Sequence, residues 1–245
     1  MKALLLWVAI STALTSSLAH ASALDVEQQQ KIDEVSKLLE ENPDVIEPLY
    51  KSLNTYISKV TQFEDIQKKS HEWLENNDAL PFIGNPEGKA VLFNFTDYDC
   101  PYCKRLDPLL VKLTEDFPEL KVVTVLTPLK QKGEFDKLDT NATLYALTVW
   151  EQAPEHFNEV NKYLFAKNTG HSEKSLNSIA KKTDTVNQLH ATEQVRNVVK
   201  NNMDTFHELG LQGTPAMMIG DTIIPGYLPY DRLKNRLASE INAAG

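Results

Sequence analysis

Between Ala90 and Leu126 the chain changes hydrophobic period twice, and that alternation leaves few folds open. Ala90 to Phe95 is a compact, β-prone run that predicts a buried strand, and Lys121 to Leu126 predicts another. Between them, Pro101 to Phe117 carries helical spacing through Leu106, Leu109, Leu110 and Leu113. Strand, helix and strand at this spacing form a βαβ unit, a parallel pair joined by a right-handed crossover. The fold class is therefore α/β.

The same stretch holds both cysteines of the protein, in Cys100-Pro101-Tyr102-Cys103. A bridge here closes almost no loop, so it constrains little of the unfolded chain. An exported chain stapled by disulfides carries several pairs at wider spacing. The pair is better explained by chemistry. Cys100 falls where the strand gives way to the helix, and unpaired N–H groups and the positive end of the helix dipole stabilise a thiolate there. Pro101 suits the first helical position, and two intervening residues bring the sulfurs within bonding distance in one turn. The reading makes Cys100 an exposed nucleophile and Cys103 a buried resolving thiol. Half a zinc site has the same spacing, but a structural zinc needs four ligands, and neither a second pair nor a nearby His-x-x-x-His is present. No metal or other cofactor is expected, and the six scattered histidines read as ordinary residues.

At the N-terminus, Met1-Lys2, an apolar run from Ala3 to Leu14 and Ala19-His20-Ala21 form the layout of a secretory signal peptide over residues 1–21, with the mature chain beginning at Ser22. Its apolar stretch is short of the roughly 20 residues that span a bilayer. Loss of Lys2 takes the 25 basic residues to 24 against 34 acidic ones, a net charge of −10. Such a surface argues against nucleic acid or an anionic membrane as the main partner. Export predicts the periplasm.

Residues 22–80 read as an N-terminal helical extension, rich in Glu, Lys, Gln and Leu and without glycine from Asp25 to Asn77. Ile32, Val35, Leu39, Ile46, Leu49, Leu53, Tyr56, Val60 and Phe63 follow a heptad-like seam. Asn42-Pro43 reads as an N-cap followed by a first-turn proline, and Pro48 as a kink or restart, which predicts two or three helices. The period does not name what covers the seam: the chain's own catalytic domain and a homo-oligomer through residues 25–63 fit equally. Leu80 to Gly88 is turn-rich and marks the entry to the next unit. From Phe135 to Leu209 the pattern is helical, with Leu144, Leu147, Trp150, Phe157, Tyr163, Leu164, Ile179, Val195 and Val198 as core positions. Ala216–Ile219 and Thr222–Ile224 around Gly220-Asp221 read as a hairpin, and Pro229 opens a last helix with Leu233 and Leu237 facing inward.

The stretch Phe93-Asn94-Phe95-Thr96-Asp97-Tyr98-Asp99-Cys100-Pro101-Tyr102-Cys103, together with Gly213-Thr214-Pro215-Ala216-Met217-Met218-Ile219-Gly220, resembles the DsbA-like branch of the thioredoxin superfamily from about Phe82 onward. The extension containing Asn42-Pro43-Asp44-Val45-Ile46 is similar to that of the suppressor-of-copper-sensitivity C proteins. The resemblance implies a thioredoxin-like core over 81–132 and 207–245 with a helical insertion at 133–206. It implies that Pro215 is a cis-proline facing the dithiol and that Thr214 offers backbone groups to an incoming peptide. Thr before this proline leans toward isomerase-type members. Pro101 and Tyr102 tune the redox behaviour. One departure stands out: many relatives carry a buried acid where this chain has Asn94, so Cys103 must lose its proton through water or another group such as Asp97.

Three activities follow as expectations. One is a disulfide isomerase or reductase of exported, cysteine-containing proteins, kept reduced by a membrane thiol-redox partner and assembled through its N-terminal helices. Another is a monomeric dithiol oxidase. The third is a copper-handling protein, because two soft thiolates hold Cu(I).

Overall fold

The computed structural model describes residues 24–75, 77–130 and 139–244. The expected signal peptide lies outside the described residues, as do Phe135 and the expected start of the helical insertion at 133. The chain divides into two compact units, the first ending at Lys59 and the second beginning at Val60. The second unit thus begins inside a helix, ahead of position 81, where the sequence placed the start of the core.

The first unit is helical. Asp25 caps α1 (Val26–Glu41) with a capping box, its carboxylate accepting from the Gln28 N–H while the Gln28 side chain accepts from the Asp25 N–H. Asn42 both ends α1 and stands as the N-cap of the next turn, with Pro43 in its first position as expected, but its side-chain amide donates back to the Leu38 carbonyl and makes no capping bond forward. A 3₁₀ turn over Pro43–Val45 leads into α2 (Ile46–Glu75). Pro48 neither kinks nor restarts α2, because it falls in the first turn, where backbone N–H groups have no helical acceptor to lose. Leu49, Leu53 and Tyr56 of the seam are exposed.

The second unit is built on a five-stranded sheet of order β1-β3-β2-β4-β5. Its members are β1 (Phe82–Gly84), β2 (Ala90–Thr96), β3 (Leu120–Leu126), β4 (Ala216–Ile219) and β5 (Thr222–Pro225). Only β2 and β3 pair in parallel, joined by α3 (Pro101–Asp116), which is the βαβ unit expected from the periodicity. The turn-rich entry contains β1, which pairs antiparallel with β3. Gly84 ends it at φ 86°, where a Cβ would collide with the Leu120 carbonyl.

Alternation along β2 sorts two cores. Leu92 packs with Leu106, Leu110, Leu113, Leu233 and Leu237 under α3 and α8 (Tyr230–Ala244). Phe93 and Phe95 face the other way, into the helices α4 (Ala142–Gln152), α5 (Phe157–Ala166), α6 (Glu173–Lys182) and α7 (Glu193–Glu208). With both faces covered, β2 is nearly continuous in apolar residues. The expected insertion boundary at 206 falls inside α7. Tyr163, expected in the core, is 36 % exposed and lies near the Lys182 ammonium. No described helix is long and apolar enough to cross a membrane.

Candidate active site

The loop Asp97-Tyr98-Asp99 carries the chain from the end of β2 into α3, and the rest of the site is built on it. The Asp97 carboxylate is fully buried, and its two oxygens accept from the backbone N–H groups of Asp99 (2.9 Å) and Lys130 (2.8 Å). Asp97 therefore braces the loop. Tyr98, also fully buried, donates its hydroxyl to Asn161 on α5 at 2.7 Å and packs on Phe165, the ring centroids 4.5 Å apart. The Asn161 amide in turn donates to Asp107 of α3 at 3.1 Å. Lys104 donates its ammonium to the Lys167 carbonyl just beyond α5. The helical segment thus grips both sides of the loop that presents the cysteines.

Cys100 is the N-cap of α3, with extended backbone angles, and Pro101 takes the first helical position. Its own carbonyl accepts the Lys104 N–H. The expectation of an exposed Cys100 is corrected here: both cysteines are only 1 % exposed. The covering group comes from a distant part of the chain. The Cys100 thiol donates to the Thr214 carbonyl at 3.1 Å, and the Thr214–Pro215 peptide is cis. The Pro215 carbonyl accepts the Gly226 N–H at 2.9 Å, fixing the segment before β4 to the end of the hairpin.

The two sulfurs are split in acidity. A hydrogen bond from Cys103 is the largest influence on Cys100 and lowers it to about 5 against the opposing effect of burial, helped by the backbone N–H groups of Cys103 and Tyr102. The Thr214 hydroxyl, buried and without a partner in the thiol form, adds a donor to the thiolate. Cys103 is pushed up, first by burial and then by its bond to Cys100, while the Thr96 hydroxyl opposes the rise. The pair therefore holds one thiolate and one thiol at neutral pH. Such a pair can open a disulfide with the first sulfur and release the product with the second.

The chain matches the thioredoxin family model, described simply as thioredoxin, over residues 76–238. The catalytic domain of Proteus mirabilis ScsC is 36 % identical, with a TM-score of 0.67 over 73 % of this chain and 98 % of that one. This chain belongs to the DsbA- and ScsC-like branch of the thioredoxin superfamily. A periplasmic thioredoxin-like protein from Salmonella enterica serovar Typhimurium is 33 % identical, with a TM-score of 0.65 over 71 % of this chain and 96 % of its own. Among characterised sequences, disulfide bond formation protein D of Bacillus subtilis (strain 168) is 24 % identical over 68 % of this chain and 83 % of that protein. The fold is the thioredoxin-like α/β fold with a helical N-terminal region, and the chemistry of this family member is thiol–disulfide oxidoreduction.

All six residues singled out in the sequence lie in this region of the fold. Cys100 and Cys103 are in mutual contact, Cys100 meets Thr214, Pro215 follows it, and Tyr102 is 55 % exposed beside Pro101 in the first turn of α3. Asn94 sits on the α3 face of β2, two positions before Thr96, and its buried carbonyl oxygen has no hydrogen-bond partner among the described residues. Thr96, Lys104, Arg105 and Tyr227 were not singled out. Thr96 could have been found by alternation, since it shares the face of Asn94 next to the cysteine helix. Among the described residues no group of three or more His, Cys, Asp or Glu side chains is placed to hold a metal ion.

Proposed function

We propose that this protein is a periplasmic disulfide isomerase or reductase of exported, cysteine-containing proteins, with Cys100 as the attacking sulfur and Cys103 as the resolving one. The split acidity of the pair against the Thr214–Pro215 segment carries the exchange chemistry, and the isomerase direction rests on threonine before the proline and on the exposed apolar seam of the N-terminal helices. The Cys100 thiolate attacks one sulfur of a client disulfide; the client S–S bond breaks and its other sulfur leaves as thiolate. That thiolate can re-pair elsewhere in the client, returning Cys100 reduced. Alternatively Cys103 loses its proton and attacks the mixed disulfide, which frees the reduced client and leaves Cys100–Cys103 oxidised, with two electrons passed to the client. A membrane thiol-redox partner then restores the dithiol. Backbone groups of Thr214 hold the client strand against Pro215, and Pro101 and Tyr102 tune the thiolate.

In this reading residues 81–132 and 207–245 form the catalytic core, 133–206 the helical insertion, and 22–80 an extension that assembles copies of the chain. Support for assembly comes from Ile32, Val35, Ile46, Leu49, Leu53 and Tyr56, all exposed apolar side chains at seam positions. Sedimentation of Leu53→Glu beside the parent protein tests it: assembly in the parent lost in the variant is expected, and a parent that is monomeric at micromolar concentration removes the idea.

A dithiol oxidase is the second reading, favoured by the acidity of Cys100. A stabilised thiolate is a good leaving group, which makes the disulfide form oxidising. Alkylation of the protein in intact cells separates the two. Reduced cysteines support isomerase or reductase; a standing Cys100–Cys103 disulfide supports oxidase. Refolding gives the same division, since an oxidase acts on the reduced client and an isomerase also rescues a scrambled one.

A further inference from the structure

Beside the dithiol lies a cation with no carboxylate partner among the described residues. Arg105 is exposed on α3, three residues after Tyr102 and so on the same helical face. Its guanidinium carbon is 5.8 Å from the centre of the Tyr102 ring and 5.1 Å from that of Tyr227, and the two rings stand 6.2 Å apart at 33°. Both distances are within cation–π range, about 6 Å. Among the described residues no carboxylate pairs with Arg105.

Tyr227 is held in place from two directions. Its ring packs against the core under α3 and α8, and it follows Gly226, whose N–H bonds the Pro215 carbonyl. Gly226 has φ 74°, a conformation open to glycine. The three side chains therefore form a ledge joining the cysteine helix to the hairpin segment that carries Pro215. A guanidinium laid on aromatic rings keeps the N–H donors of its edge free, and those donors match a carboxylate with two parallel bonds. The chain as a whole carries a net charge of −9, so its average field repels acidic clients. An exposed cation on this ledge, without a carboxylate partner among the described residues, acts against that field where a client docks.

We infer that Tyr102, Arg105 and Tyr227 form a specificity subsite that takes an Asp or Glu side chain of a client polypeptide, close in sequence to the cysteine being attacked. The inference rests on the exchange reading above and adds which clients the site prefers. Tyr102 and Tyr227 position the guanidinium, and Arg105 makes the contact.

The test uses two synthetic peptides, each with one cysteine capped by 2-thiopyridyl and flanked by Glu in one and Lys in the other. The Cys100 thiolate attacks the peptide sulfur, the bond to the cap breaks, and 2-thiopyridone leaves and is read by absorbance. Rates for the reduced full-length protein are normalised to those of a neutral dithiol reagent on the same peptide. Arg105→Gln should lower the Glu-over-Lys preference by about two- to fivefold, the range of one solvent-exposed ion pair, and added salt should shrink the difference. Arg105→Glu should reverse the preference, Arg105→Lys should retain part of it, and Tyr227→Leu should weaken it. Lys181→Gln, which removes an equal charge from the exposed end of α6, should leave it where it was. A preference unchanged in Arg105→Gln, or shifted equally by Lys181→Gln, overturns the subsite while leaving the exchange reading intact. Release of thiopyridone from neither peptide overturns both.

Discussion

The sulfur of Cys100 lies 3.1 Å from the carbonyl oxygen of Thr214, a residue 114 positions away in the chain. That contact closes the site over the thiol and ties its ionisation to the fold. When Cys100 ionises, the thiol no longer donates to the carbonyl, and donors from Cys103, the α3 N-terminus and the Thr214 hydroxyl take over. The reduced protein should therefore be stabilised by its own thiolate. Burial without these donors would act the other way, and the lowered value shows that the donors win.

The consequence is a stability that depends on pH. The folded thiol titrates at about 5, whereas an unfolded cysteine titrates near 8.5. The folded value is depressed, so the stabilisation is fully present above the unfolded value and disappears as pH falls through 5. The gap of three to four units corresponds to at most about 4–5 kcal/mol, which solvent screening at the site reduces to a few kcal/mol. Urea unfolding of the reduced protein and of reduced Cys100→Ala, from pH 4 to pH 9, should show the parent gaining on the variant as pH rises. Parallel curves over that interval would refute the thiolate.

The two cysteines should fail in different ways when replaced. Cys100→Ser removes the acidic sulfur and should abolish exchange. Cys103→Ser leaves the thiolate but not the group that resolves its adduct, so mixed disulfides with clients should accumulate. Non-reducing gels of proteins trapped in cells, or of the purified variants with a capped peptide, give the readout. Identical behaviour of the two variants would contradict the assigned roles.

Much of this arrangement was legible in the sequence. The period change around Ala90 and Leu126 gave the parallel pair, and the Cys100–Cys103 spacing placed the dithiol at a helix mouth. What local pattern could not carry was burial by distant chain. Cys100 was expected in solvent, and it is covered through a contact with Thr214. Strand β1 was hidden because it is three residues long between prolines and glycines, and only its pairing with β3 makes it a strand. Arg105 was not singled out, because nothing local to α3 shows that Tyr227, which follows β5, meets its guanidinium.

Asn94 offers a test of how Cys103 loses its proton. The residue is 4 % exposed, faces α3, and lies two positions before Thr96, whose hydroxyl bonds the Cys103 sulfur. Its orphan carbonyl oxygen is a destabilising feature of about 1–3 kcal/mol. Asn94→Asp puts a proton acceptor at that point, with its own acidity lowered by burial. Resolution of a Cys100 mixed disulfide should then accelerate near neutral pH in rapid-mixing experiments, while the attack by Cys100 is unchanged. An unaltered resolving rate would mean that position 94 is out of proton-transfer reach of Cys103.

Asp107 gives the opposite pH signature to Cys100. Burial raises its carboxyl from an ordinary 3.8 to about 6, with the Asn161 hydrogen bond opposing but not cancelling the rise. The folded protein thus holds this proton to a higher pH than the unfolded chain does. Folded stability falls as pH climbs from about 4 to 6, and the penalty persists above 6. Asp107→Asn keeps an oxygen for the Asn161 amide and removes the charge, so it should stabilise the protein at pH 7 by about 1–3 kcal/mol and make no difference below pH 4. Paired denaturation curves at the two pH values check both halves. The chain Asp107–Asn161–Tyr98 also braces the loop before Cys100, so the variant should retain full exchange activity at pH 7. Loss of activity with stability gained would show that the charge itself, and not the brace, serves the dithiol.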